Sequence, residues 1–211
     1  ASASGCTVIY AVSGEIAPPS PAAIVNGPAS LIVTELALAT FSATVAGNPF
    51  PNLQWYRNGA AISGATSQSY TLANAALADS GALFRLVAAN VVSNVSYTVT
   101  SSVASLTVLA DTNPPVLLGA QSLGLAQVIA SFSERISLST ATNRSNYAIT
   151  GTNGNVVISD AALDASQTNV VLTVSAMTNG AAYILHVSNL ADRSAAENVI
   201  ASNSLAAFVA S

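Results

Sequence analysis

The chain has 211 residues, with five Arg, no Lys, nine acidic residues and a formal net charge of −4. Only 7% of residues are charged, against roughly 25% in an ordinary soluble domain, while 51% are hydrophobic and 41 are Ala. These numbers exclude a nucleic-acid footprint, which needs clustered basic residues, and a spanning helix, since no apolar run approaches about 20 residues. Cys6 is the only cysteine, so an internal disulfide is impossible. A surface this poor in charge is either a Ser/Thr/Asn lawn or is covered by neighbouring subunits. Both readings point to an extracellular or cell-surface location.

In chain order, the first element is a β segment, Thr7 to Ser13, centred on Val8, Ile9, Tyr10, Ala11 and Val12. The N-terminus ASASGCTVIY has no basic residue and no long apolar stretch. It is therefore not an intact signal peptide, and it suits the start of a mature chain. Pro18-Pro19-Ser20-Pro21 then separates this segment from the rest of the chain, so residues 1–21 are read as a strand and a Pro-rich hinge. Short runs with apolar alternation come next: Thr40 to Val45, Ser69 to Leu72, Ser105 to Val108, Val128 to Phe132, Val170 to Val174 and Ala182 to Val187. Each is 4–7 residues long and bounded by Gly, Asn, Pro or Asp, the signature of half-buried strands. Asn58-Gly59, Asn153-Gly154 and Asn179-Gly180 supply turn signals, because both residue types tolerate positive φ. The Ala-rich stretch from Ala73 to Ala82 fits one helical turn. Strands every 8–12 residues predict an all-β chain, about seven strands in each half. Asp111-Thr112-Asn113-Pro114-Pro115 reads as a stiff connector. The expected architecture is two tandem immunoglobulin-like β-sandwiches, 22–111 and 112–211, preceded by the extended N-terminal strand.

Gln54-Trp55-Tyr56-Arg57-Asn58-Gly59, followed by Asp79-Ser80-Gly81-Ala82-Leu83-Phe84-Arg85 and closed by Leu106-Thr107-Val108, resembles an immunoglobulin-like domain of the kind repeated in bacterial surface and secreted proteins. The resemblance implies Trp55 on the third strand packing across the core, and Phe84 entering the sixth strand where such domains often carry Tyr. It also implies Ala43 and Leu86 near the places of the two absent core cysteines. Trp55, Phe84 and Leu86 are the expected core markers. Phe132-Ser133-Glu134, Thr142 to Ile149, Leu190-Ala191-Asp192 and Asn198 resemble the S-layer-type immunoglobulin-like domain, a fibronectin-like sandwich of secreted bacterial proteins. That resemblance implies spacing, adhesion or assembly, with no catalytic residues to carry over.

Catalytic chemistry finds little support in the residues. His186 is the single histidine, on a strand where it shares a face with Ile184. A triad needs a His between a carboxylate and a nucleophile, and no Gly-x-Ser-x-Gly elbow is present. A zinc centre needs three or four His, Cys or carboxylate ligands. The acids stand singly: Asp160 and Asp164 flank a strand end, and Asp192 and Glu197 share a loop. No enzyme activity, cofactor or metal site is therefore assigned. Asp111 and Asn113, with Asp192 or Glu197, could supply oxygen ligands to calcium, although no Asp-rich loop of fixed spacing is present. Asn94-Val95-Ser96 and Asn143-Arg144-Ser145 match the glycosylation acceptor pattern, which also arises by chance in an Asn/Ser-rich chain.

The apolar strand Val8 to Val12 lies outside both sandwiches, and its backbone groups need partners. It could extend a sheet of its own chain, be left from a preceding domain, or pair with a neighbouring subunit. The third account fits the hinge behind it and the near-uncharged surface. Head-to-tail pairing of that kind yields filaments unless it closes into a ring. The expected function is an extracellular structural or adhesive surface protein that self-associates into a polymer through its N-terminal strand. The alternative is a non-catalytic accessory module of a secreted enzyme, a spacer or a binder of cell-surface polysaccharide.

Overall fold

The structure, a computed structural model, describes residues 17–152 and 154–211. The predicted strand Val8 to Val12 and Cys6 lie outside the described residues. Among those described, strands occupy the first half of the chain as β1 (Ser20–Asn26), β2 (Leu31–Thr34), β3 (Ala39–Ser42), β4 (Thr44–Asn48), β5 (Asn52–Arg57), β6 (Ala60–Ala61), β7 (Ser69–Leu72), β8 (Leu83–Val92), β9 (Val95–Thr100) and β10 (Ala104–Leu109). The second half carries β11 (Leu117–Ser122), β12 (Gln127–Phe132), β13 (Tyr147–Gly151), β14 (Gly154–Val156), β15 (Ile158–Leu163), β16 (Asn169–Val174), β17 (Ala182–Val187) and β18 (Ser204–Val209). The only α-helical segment among the described residues is the single turn Leu138–Ala141. The chain is all-β over the described residues. One strand beyond the expected seven in the first half comes from a break: the run Thr40 to Val45 divides at Ala43, β3 pairing with β7 and β4 with β1.

Two compact units form. One holds Ala39–Leu72 and Gly81–Thr107 together with the described residues up to Ile32. The other holds Val108–Ser211 with two earlier segments, Val33–Leu38 and Ala73–Ser80.

In the first unit, β3 and β7 form one small antiparallel sheet, and β8 sits between β10 and β5 in another. The alternation of β8 puts Phe84, Leu86, Ala88 and Asn90 inward, as a period of two requires. Trp55 of β5 stands opposite Leu86 of β8 in the register, and both are fully buried. Phe84 stacks on Phe41 of β3 with ring centroids 4.2 Å apart, and on Tyr70 of β7 at 5.9 Å. Trp55 Nε1 donates to the Ser67 carbonyl at 2.9 Å, so the buried indole keeps its hydrogen bond. Asn58 (φ 49°) and Gly59 (φ 86°) make the two-residue hairpin from β5 to β6. The similar pair Asn179-Gly180 does something else: it lies between β16 and β17, which belong to different sheets. The predicted helical turn near Ala73 to Ala82 is a 3-10 turn at Leu77–Asp79, in the second unit.

In the second unit, a sheet of order β11-β12-β16-β15 faces one of order β14-β13-β17-β18. Val128, Phe132, Ile149, Leu172, Leu185 and Phe208 fill the space between. The Tyr147 hydroxyl donates to the Ala141 carbonyl at 2.7 Å inside this core. Burial pushes that phenol well above its ordinary range.

Candidate functional site

The chemistry-bearing residues gather in the second unit, where three carboxylates meet. Asp192 begins as a backbone problem. The chain leaves β17 and runs through Leu190 to Ile200 as a loop with only two isolated bridges, Ile136 to Asp192 and Ala191 to Val199. A buried loop must find partners for its amides. Asp192 supplies them: its Oδ1 accepts from Ser194 N at 3.0 Å, Ser194 Oγ at 2.8 Å and Asn198 N at 3.1 Å. Its Oδ2 accepts from Asn198 Nδ2 at 2.8 Å. The side chain is 1% exposed. Carboxylate acceptance from backbone and hydroxyl donors makes such a burial tolerable.

Asn198 carries the network onward, donating from Nδ2 to the Asp111 carbonyl at 3.1 Å. Asp111 is held in an Asx turn, its Oδ1 accepting from Asn113 N at 3.0 Å. Glu134 comes just after β12, anchored by its neighbour: Ser133 N donates to the Val116 carbonyl, and Val116 N to Ser133 Oγ. One carboxylate oxygen from each of Asp111, Glu134 and Asp192 lies within 4.8 Å of the other two. Burial first, then the like charges of Asp111 and Asp192, push the Glu134 carboxyl up to about 7.

Asp111 and Glu134 also line a cavity of about 360 Å³ with Glu35 and Arg135. Glu35 reaches it from the Val33–Leu38 segment of the same unit. Its side chain is 9% exposed; Oε1 accepts from Ala195 N at 3.2 Å, and Oε2 is buried without a hydrogen-bond partner. Arg135 Nη1 donates to Asn74 Oδ1 at 2.7 Å.

The structure thus brings together two of the four oxygen donors suggested by the sequence, Asp111 and Asp192. Asn113 serves as a donor to Asp111, and Glu197 is exposed outside the cluster. Sequence reasoning met Glu134 only as part of a family-like tripeptide and missed Glu35 altogether. A pair of acids 99 positions apart has no local spacing signal, so no sequence feature could have found Glu35. His186 sits on the face of β17 turned from the core. Its Nε2 faces Thr150 Oγ1 at 3.0 Å and its Nδ1 faces Asn203 Oδ1 at 2.8 Å. An amide oxygen stands where a catalytic imidazole would have a carboxylate. Trp55, Phe84 and Leu86 are fully buried core residues of the first unit.

No protein-family model matches the chain, and no curated protein matches it. Among solved structures it is similar to the N-terminal part of the bacterial S-layer protein SbsC, at 19% identity and a TM-score of 0.42, over 46% of this chain and 24% of that one. The chain thus spans about a quarter of that structure's length. It is also similar to a chimeric titin Z1Z2, at 17% identity and a TM-score of 0.46, over 92% and 98% of the two chains. The titin M10 and obscurin-like 1 immunoglobulin complex gives 21% identity and a TM-score of 0.37 over 44% and 99%.

Proposed function

We propose that the chain is an extracellular structural or adhesive surface protein, built of two sandwich modules, 22–111 and 112–211, the second of the S-layer type. It self-associates by strand addition. The observation that carries this reading is the character of the sheet edges. β2 ends its sheet and exposes Ile32 at 71%; β11 ends another and exposes Leu118 at 67%; Val157, just before the edge strand β15, is 68% exposed. Soluble β proteins blunt such edges with Lys, Pro or inward charge, and this sequence has no Lys. Apolar edges with little charge to keep copies apart are surfaces made for pairing. The segment Val8 to Val12 is the donor strand in this reading. Its ladder bonds give affinity, and its alternating side chains set register.

The test is the size of the full-length protein, by sedimentation and negative-stain microscopy, beside a chain lacking residues 1–17. Filaments from the first and monomers from the second are expected. Assembly by the truncated chain would rule out strand donation. Full-length monomers retained by polysaccharide would replace this reading with that of an accessory module.

A further inference from the structure

We propose, resting on the strand-donation reading above, that β9 is the acceptor edge: residues Val8 to Val12 of one copy add to β9 of a second copy. β9 pairs with β8 in an unbroken register, from Val92 opposite Val95 to Val87 opposite Thr100, and no ladder covers its other side. β1 runs nearby, but its ladder is with β4 in a separate sheet. Five of the six residues of β9 are exposed, Val95 at 50% and Tyr97 at 37% among them. Its sequence, VSYTVT, has no charge, no Pro and no Gly. Val, Thr and Tyr favour extended backbone. An edge without a blunting device is a template for a further strand.

The main competing edges are short or interrupted. β2 has four residues and runs into Glu35. β11 carries a register shift between Leu117 and Gly119. β15 carries one between Ile158 and Asp160, and its Ser159 carbonyl is taken by Arg144 Nη1 at 2.9 Å. β18 lies against β11, and the chain just beyond it is tied there by Ser211 N donating to Ser122 Oγ at 3.2 Å. β1 carries Pro21, and Asn90 holds its Ala22 amide and Ser20 carbonyl. The occupant follows from what the chain carries before Ala17. Thr7 to Ser13 is an uncharged β segment of seven residues, enough to match the six of β9. Behind it, Pro18, Pro19 and Pro21 fix φ near −65° and keep the exposed stretch 17–21 extended, a stiff spacer at about 3 Å per residue. Asn48 Nδ2 donates to the Ala17 and Pro18 carbonyls and so fixes where the segment leaves the first unit. Added to β9, the segment meets its free amides and carbonyls, with Val8, Tyr10 and Val12 on one face and Ile9 and Ala11 on the other.

The experiment uses full-length chains. Val95→Cys and Thr100→Cys mark the two ends of β9, and Cys6 stands just ahead of the donor segment. Under copper–phenanthroline oxidation, Cys6 alone joins chains only in pairs. A ladder longer than a dimer is expected from one of the two variants, with peptide mass spectrometry placing Cys6 against position 95 or 100 of another copy. Ser96→Lys combined with Thr98→Lys puts charge on the exposed edge, and should raise the concentration needed for assembly by about tenfold. Leu138→Lys adds charge on the exposed helical turn instead, and should assemble like the parent. Far-ultraviolet spectra and Trp55 fluorescence matching the parent show that each variant folds. Undiminished assembly by the β9 lysine variant, with loss only on removing residues 1–17, overturns β9 as the acceptor and leaves strand donation standing. An equal loss in Leu138→Lys, Cys6 links that close within one chain, or no such link at either end of β9 in assembled protein also overturns it. A parent that stays monomeric overturns both readings.

Discussion

The two units bury their polar groups by different means. The first buries only neutral side chains among its described residues: Ser101, whose Oγ accepts from Leu86 N at 2.9 Å, and Asn90, which accepts from Ala22 N at 2.9 Å and donates to the Pro49 and Ser20 carbonyls at 2.8 and 3.0 Å. The core of this unit is aromatic, built on Phe41, Trp55, Tyr70 and Phe84. The second unit has a more aliphatic core; it too buries a neutral amide, Asn146, which donates to the Thr140 carbonyl at 2.9 Å, and it adds buried carboxylates, among them Asp192 in its loop. Neutral amides can satisfy themselves within a sheet. A buried carboxylate needs several donors, which Asp192 finds in its own loop.

The largest effect should come from Phe84→Ala. Phe84 is fully buried and stacks on two rings, and such truncations cost about 3–5 kcal/mol. Trp55 is the only tryptophan and lies in the first unit, so its fluorescence reports that unit alone. Denaturant unfolding monitored by fluorescence should shift to lower midpoint. A second transition seen by circular dichroism should keep its parental midpoint. If both transitions move together, the units unfold as one, and their contrast is not thermodynamic.

Asp192→Asn is the counterpart in the second unit. An amide has one oxygen to offer where the carboxylate serves four donor contacts, and its own NH₂ meets the Asn198 amide. The loss should be about 2 kcal/mol, appropriate to a buried group left partly unsatisfied. The circular dichroism transition should fall while the Trp55 fluorescence midpoint stays. A shift in fluorescence instead would place Asp192 in the stability of the wrong unit.

Much of the fold was legible because it rests on period-two patterning. β17 coincides with the run Ala182 to Val187, and β7 with Ser69 to Leu72. The Asn58-Gly59 hairpin arises from the positive φ both residues accept. Patterning cannot show which strand a strand pairs with. The break at Ala43 hands one apolar run to two sheets, and Asn179-Gly180 turns between sheets although it reads like a hairpin. The candidate site was legible in part. Asp111 and Asp192 are turn acids near polar neighbours, and that is visible locally. Glu35 reaches the site only through tertiary structure, held there by Ala195 N from 160 positions away. Asn90 was hidden for the same reason, since an inward Asn on an apolar strand has no local explanation.

The smallest expected effect separates this buried charge from an ordinary surface one. Asp164 lies in the turn between β15 and β16. Partial burial pushes its pKa up, yet hydrogen bonds from the Ser166 and Asn169 side chains and from the Asn169 and Gln167 amides hold it below its ordinary 3.8. A depressed carboxyl contributes stability that is present above the unfolded value and lost as pH falls through the folded one. Asp164→Asn should therefore cost no more than about 0.5 kcal/mol at neutral pH, because the group is mostly solvated and screened. The gap between parent and variant should close as pH drops below 3.8. Denaturant midpoints across an acid series give the measurement. A gap that persists at low pH would mean the turn depends on the shape of the side chain rather than on its charge, and the electrostatic distinction between Asp164 and Asp192 would then be one of burial alone.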